Sequence, residues 1–80
     1  MRNSKYHTEA DIVSKLADEI VKKRKEIGLS HQKLADEAEL NRSTISLIES
    51  KKCIPSIFTV LKICKVLGIS LTNLFYQEKQ

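Results

Sequence analysis

An all-α fold of five helices is predicted for this 80-residue chain, and three features of the sequence predict it. Residues 30–50, SHQKLADEAELNRSTISLIES, read as two short helices joined by a turn too tight to be a random linker. Ahead of them, Ile12, Val13, Leu16, Ala17, Ile20 and Ile27 form one helical stripe; behind them, Ile57, Val60, Leu61, Ile63, Cys64 and Leu67 form another. One Pro, two Gly and no long polar run leave no place for a linker, so residues 1–80 are read as one compact domain. With 41% hydrophobic residues the chain is foldable, but so small a core is adequate only if the helices pack well or the protein dimerises.

Each element has a local reason. Residues 1–7 carry Arg2, Lys5 and His7 without periodicity and are read as a mobile arm. Thr8 and Asp11 then make a capping-box-like start to the first helix. Arg24 falls inside its apolar stripe, where an unpaired charge would be costly, and Glu49 at the edge of the third helix's inward face is the expected partner. Gly28 stops the helix, and Ser30 caps the second, whose inward face is Leu34, Ala35 and Ala38. Asn41 is expected to supply a second N-cap oxygen and to lie on the inward side with Ile45 and Ile48. The small Ala35 permits close approach, and Leu34, Leu40, Ile45 and Ile48 fill the space between, which is a helix-turn-helix over residues 30–50. Pro55 and Ser56 start the fourth helix, Gly68 ends it, and Ser70 caps a short fifth with Leu71 and Leu74 inward.

The outward face of the third helix is the most informative surface. At about 100° per residue, Ser43, Ser46, Leu47 and Ser50 point outward, with Arg42 and Thr44 on the flanks. None of the four central residues is charged, although 30% of the chain is. Short hydroxyls suit base edges or phosphates, Leu47 a thymine methyl, and Arg42 a guanine edge, so Arg42, Ser43, Thr44, Ser46 and Leu47 are the candidate base-reading residues. At the start of the second helix, Ser30 and His31 are placed to meet a phosphate, because helix N-termini attract anions.

On these residues, residues 20–74 resemble the lambda-repressor/Cro-type helix-turn-helix family, also called the XRE family. The matching words are LSHQKLADEAELNRSTISLIE, then Pro55-Ser56, then TVLKICKVLGISLTNL, in the family's order and at its spacing. The resemblance implies a compact five-helix lambda-repressor-like DNA-binding domain. It also implies the Arg24–Glu49 pair and phosphate contacts just after the recognition helix, where Lys51 and Lys52 stand beside Ser50. The chain departs from the family at His31, where Gln is usual, and at Glu39 and Lys51, where Gly is usual. A left-handed backbone at Glu39 would cost a non-Gly residue about 1 kcal/mol or more, so the family's usual turn would be strained there.

Charge and leftover apolar residues bound the function. Net charge is +4 with a pI near 9.2; residues 1–40 hold 8 basic and 8 acidic residues, and residues 41–80 hold 6 and 2, so the excess follows the start of the recognition helix. Phe58, Val66, Phe75 and Tyr76 are more apolar than a solvated surface needs, which points to a homodimer contact through the C-terminal helices, residues 56–76. The expected function is a sequence-specific regulator that binds double-stranded DNA as a homodimer on a palindromic operator, its half-sites about 34 Å apart. The alternative is an antitoxin-like or adaptor protein whose main partner is another protein. The acidic end of the second helix, Asp36, Glu37 and Glu39, would repel DNA and leaves room for a contact with the transcription machinery. No membrane span or signal peptide is read, so the expectation is cytoplasmic. Cys53 and Cys64 lack metal-ligand spacing and are expected to be free, Cys64 buried and Cys53 incidental in a loop. No catalytic set, metal, cofactor or small-molecule ligand is expected.

Overall fold

The computed structural model describes residues 9–72, and among them lie four helices and no strand: α1 (Glu9–Ile27), α2 (His31–Ala38), α3 (Arg42–Glu49) and α4 (Ile57–Leu67). Four helices therefore stand where five were expected. Residues 71 and 72 already have helical backbone after Ser70, but the rest of that fifth element, with Leu74, Phe75 and Tyr76, lies outside the described residues. So do the arm at residues 1–7 and the Thr8 cap.

The core follows the predicted stripes with instructive exceptions. Leu16 and Ile20 of α1, Leu34, Ala35 and Ala38 of α2, Ile45 and Ile48 of α3, and Val60, Ile63, Cys64 and Leu67 of α4 are buried in one cluster. Ile20, Leu34, Ile45, Ile48 and Ile63 are fully enclosed, each stabilising the fold by about 1.5–3 kcal/mol. Among the described residues no polar or charged residue is buried as a whole. Burial also pushes the Cys64 thiol up, so it behaves as a small apolar residue. Cys53 is not incidental, because it is partly buried against the core, with Leu29, Leu40, Val66, Ile69 and Leu71.

Three stripe residues are exposed, and Ile12 and Val13 are only partly buried. Ile27 is half exposed although it shares the face of Ile20. At 1.5 Å per residue, the 19 residues of α1 span about 28 Å against about 12 Å for the eight-residue α2 and α3, so its last turn overhangs the core. Ile57 and Leu61 are also exposed, since Val60, Ile63, Cys64 and Leu67 already fill the i, i+3, i+4, i+7 positions that face inward. Conversely, Val66 is packed against the core rather than left over at the surface.

All four helices end in the same way. In each, the amide five residues on donates to a carbonyl of the last turn: Leu29 to Arg24, Leu40 to Ala35, Lys52 to Leu47 and Ile69 to Cys64, at 2.8–3.0 Å. The residue before each donor is left-handed, as this termination requires: Gly28, Glu39, Lys51 and Gly68, with φ of 87°, 58°, 65° and 71°. Glycine adopts this conformation without penalty; Glu39 and Lys51 do not, yet the helix-turn-helix keeps the turn at both. Replacing Glu39 with Gly is expected to raise stability by up to about 1 kcal/mol in urea titrations, while Glu39→Ala, which keeps the Cβ, leaves it nearly unchanged.

Candidate nucleic-acid interface

The face of α3 turned from the core is open. Arg42, Ser43, Ser46 and Leu47 are exposed and together line a shallow hollow of about 370 Å³. Thr44 stands half-buried at the edge, and Ile45 and Ile48 point the other way into the core. Leu47 keeps 44% of its surface in solvent, so helical phase rather than hydrophobicity decides which apolar residue of α3 faces out. Asn41 departs from its expected role. Its backbone has the extended conformation of an N-cap, but the side chain makes no capping bond and is exposed rather than inward. Its carbonyl instead takes the Thr44 and Ile45 amides, and the first amides of α3 are left without a side-chain cap, next to Arg42.

Behind this face, Glu49 joins three helices. Arg24 of α1 donates from Nε to Glu49 Oε2 at 2.7 Å and from Nη2 to Oε1 at 3.0 Å, a two-pronged pair that fixes both groups. Its remaining arm, Nη1, donates to the Leu29 carbonyl at 2.8 Å and ties the same guanidinium to the turn into α2. His31, the first residue of α2, lies with Nε2 at 2.9 Å from Glu49 Oε1. The side chains of Arg24 and Glu49 are only 12% and 8% exposed, so water screens the pair weakly. Burial by itself would raise the Glu49 carboxyl, but hydrogen bonds and charge from Arg24 and His31 outweigh it and hold the group below its ordinary value. The hydrogen bond from Glu49 raises the Arg24 guanidinium further against the opposing effect of burial, so it stays charged.

The expected phosphate-contacting residues are divided. Ser30 accepts the Lys33 amide at 3.0 Å as a true N-cap, and His31 is turned to Glu49. Ser50 spends its hydroxyl proton on the Ser46 and Leu47 carbonyls. Lys51 reaches back to Asp18 of α1 at 3.0 Å, whereas Lys52 is exposed in the turn. Neither the His31–Glu49 contact nor the Asp18–Lys51 contact has a signature in sequence spacing, because each joins residues brought together only by packing. The latter pair is largely solvated and contributes little to stability.

Removing Arg24 leaves the Glu49 carboxylate enclosed without its main partner. Arg24→Ala is therefore expected to cost about 3 kcal/mol or more in denaturant unfolding. Because folding lowers the Glu49 value from 4.5, its contribution is complete above that value and is lost as pH falls through the lower folded one. Stability measured from neutral pH into acid should fall in that window, and Glu49→Gln should remove this component of the decline.

Known proteins resemble this chain in sequence and in fold. A helix-turn-helix family model matches residues 20–74. The uncharacterized HTH-type transcriptional regulator YgzD of Bacillus subtilis is 32% identical over 57 residues, 71% of this chain and 86% of that protein. The HTH-type transcriptional regulator PuuR of Escherichia coli is 39% identical over 57 residues, again 71% of this chain but 31% of PuuR, so the likeness there covers less than a third of the larger protein. Among solved structures, a point mutant of the restriction-modification controller protein C.Esp1396I superposes with a TM-score of 0.72 at 33% identity, covering 80% of this chain and 83% of that one. The chain belongs to the XRE-type helix-turn-helix family of transcriptional regulators.

Proposed function

We propose that this protein binds double-stranded DNA sequence-specifically as a homodimer on a palindromic operator and regulates transcription by occupying it. The observation that carries the reading is the outward face of α3. In a chain this rich in charge, an eight-residue helix presents Arg42, Ser43, Ser46 and Leu47 to solvent with a single charged side chain among them. That chemistry suits the floor of a major groove, where hydroxyls meet base edges, Leu47 a thymine methyl, and Arg42 a guanine. Thr44 would flank the contact. Lys51, Lys52 and Ser50 after the helix, with Ser30 and His31 at the start of α2, would meet the backbone and supply affinity without sequence preference.

Dimerisation rests on a second surface. Ile54, Ile57, Phe58 and Leu61 are 45–75% exposed, and the last three share one side of α4 by their spacing. An exposed apolar patch of this kind marks an interaction site, and a self-complementary contact about a twofold axis would also set two recognition helices against one palindrome. Of the residues that the sequence suggested for this surface, Phe58 stays, Val66 is packed against the core, and Phe75 and Tyr76 lie outside the described residues, while Ile54, Ile57 and Leu61 join Phe58. In the second reading, the same patch serves a different protein, as in an antitoxin or adaptor.

Selection of bound sequences from a random duplex pool at near-physiological salt tests the main reading. A palindromic consensus preferred by about a thousandfold over scrambled DNA supports it, and weak, unselective binding moves the protein-partner reading to first place. Arg42→Ala should weaken the selected site by about 1–3 kcal/mol and relax preference at one position, whereas Lys52→Ala should weaken all sequences alike. Phe58→Asp, at a position 73% exposed, should leave the fold intact and convert a dimer to a monomer in sedimentation velocity.

A further inference from the structure

We propose that His31 couples DNA binding to the uptake of one proton, with the protonated ring donating from Nε2 to Glu49 and from Nδ1 to a DNA phosphate. The inference rests on the DNA-binding reading above and adds to it a dependence on pH. It starts from the bond between His31 Nε2 and Glu49 Oε1 at 2.9 Å. Glu49 is held ionised by Arg24 and can only accept, so the ring nitrogen that faces it must carry a hydrogen. A neutral imidazole has one N–H, and here it is spent on Glu49. Nδ1 is then a lone pair, which repels a phosphate oxygen. A second proton turns Nδ1 into a donor and gives the ring a charge while leaving the Glu49 bond in place.

The location fits that task. The bond to Glu49 holds His31 beside the last turn of α3, whose Glu49 stands two and three residues before Lys51 and Lys52. Its side chain is 31% exposed, so the ring is anchored on one edge and still reachable from solvent. The groups facing the cluster are accounted for. From α3 it is Glu49, and from α1 it is Arg24, acting through the same carboxylate. On α2 itself Lys33 pairs with Glu37 and Gln32 with Asp36. Lys62 and Lys65 of α4 are exposed and form no ion pair with the cluster. An arriving phosphate therefore adds a second negative charge beside that of Glu49, which Arg24 already neutralises, and this favours the doubly protonated ring. Glutamine, the residue usual at this position in the family, presents an amide whose donors do not change with pH.

The experiment measures affinity for the duplex recovered by the selection above, and for a scrambled duplex of equal length, from pH 5.5 to 8.5 at constant ionic strength. Wild-type dissociation constants should rise with pH toward a limiting slope of about one decade per unit, and the salt dependence should be steeper by about one ion at pH 5.5 than at pH 8.5. His31→Gln should remove both effects, and the same change at His7, the other histidine of the chain, should preserve them. A role confined to fold stability would not alter the salt slope. Selective binding that is flat in pH, or a pH slope that survives in His31→Gln, overturns the inference and leaves the DNA-binding reading standing. Absence of selective binding at every pH overturns both.

Discussion

Glu49 is the constraint on which the arrangement of helices depends. Its carboxylate receives Arg24 from α1 and His31 from α2, and Arg24 in turn holds the carbonyl of Leu29 at the joint between those helices. An enclosed ion pair is a weak source of net stability, since desolvating both charges offsets much of their attraction. Its geometry nonetheless matters more than its energy here. A core of small aliphatic side chains tolerates sliding, whereas a two-pronged guanidinium–carboxylate contact tolerates little. The last turn of α3 is thereby pinned, and the face carrying Arg42, Ser43, Ser46 and Leu47 is presented in one orientation.

Short helices make helix termination unusually important. With eight residues each, α2 and α3 have more end groups than interior hydrogen bonds, so how the chain leaves each helix decides where the next one starts. The same left-handed reversal serves all four, and at Glu39 and Lys51 it is held against an intrinsic penalty. At Glu39 the reversal sets α3 relative to α2, and buried contacts among Leu34, Ala35, Ile45 and Ile48 offset the local cost. At Lys51 it turns two lysines back beside the end of α3, where one of them meets Asp18.

The surface divides into three chemistries. The outer side of α3 is small, hydroxylated and nearly uncharged; the turn after it is basic; and α4 with the preceding loop is apolar at Ile54, Ile57, Phe58 and Leu61. Among the described residues, no helix is long and apolar enough to cross a membrane, and no group of three or more His, Cys, Asp or Glu could hold a metal ion.

The sequence by itself determined the helices, their caps at Ser30 and Ser56, and most of the core, because helical periodicity and capping are short-range properties written in adjacent residues. It also singled out Arg24 with Glu49, since a charge inside an apolar stripe demands a partner. Only the tertiary structure decided what distance in the chain conceals. Ile27, Ile57 and Leu61 lie on helical faces that run past or beside the core, so their exposure depends on where neighbouring helices end. Val66 and Cys53 gain cover from their neighbours, and the Asn41 side chain makes no capping bond although its backbone has the conformation of an N-cap. The turn of His31 toward Glu49 and of Lys51 toward Asp18 is likewise tertiary, because hydrogen bonds between residues 18 and 33 positions apart exist only once packing has set their helices side by side.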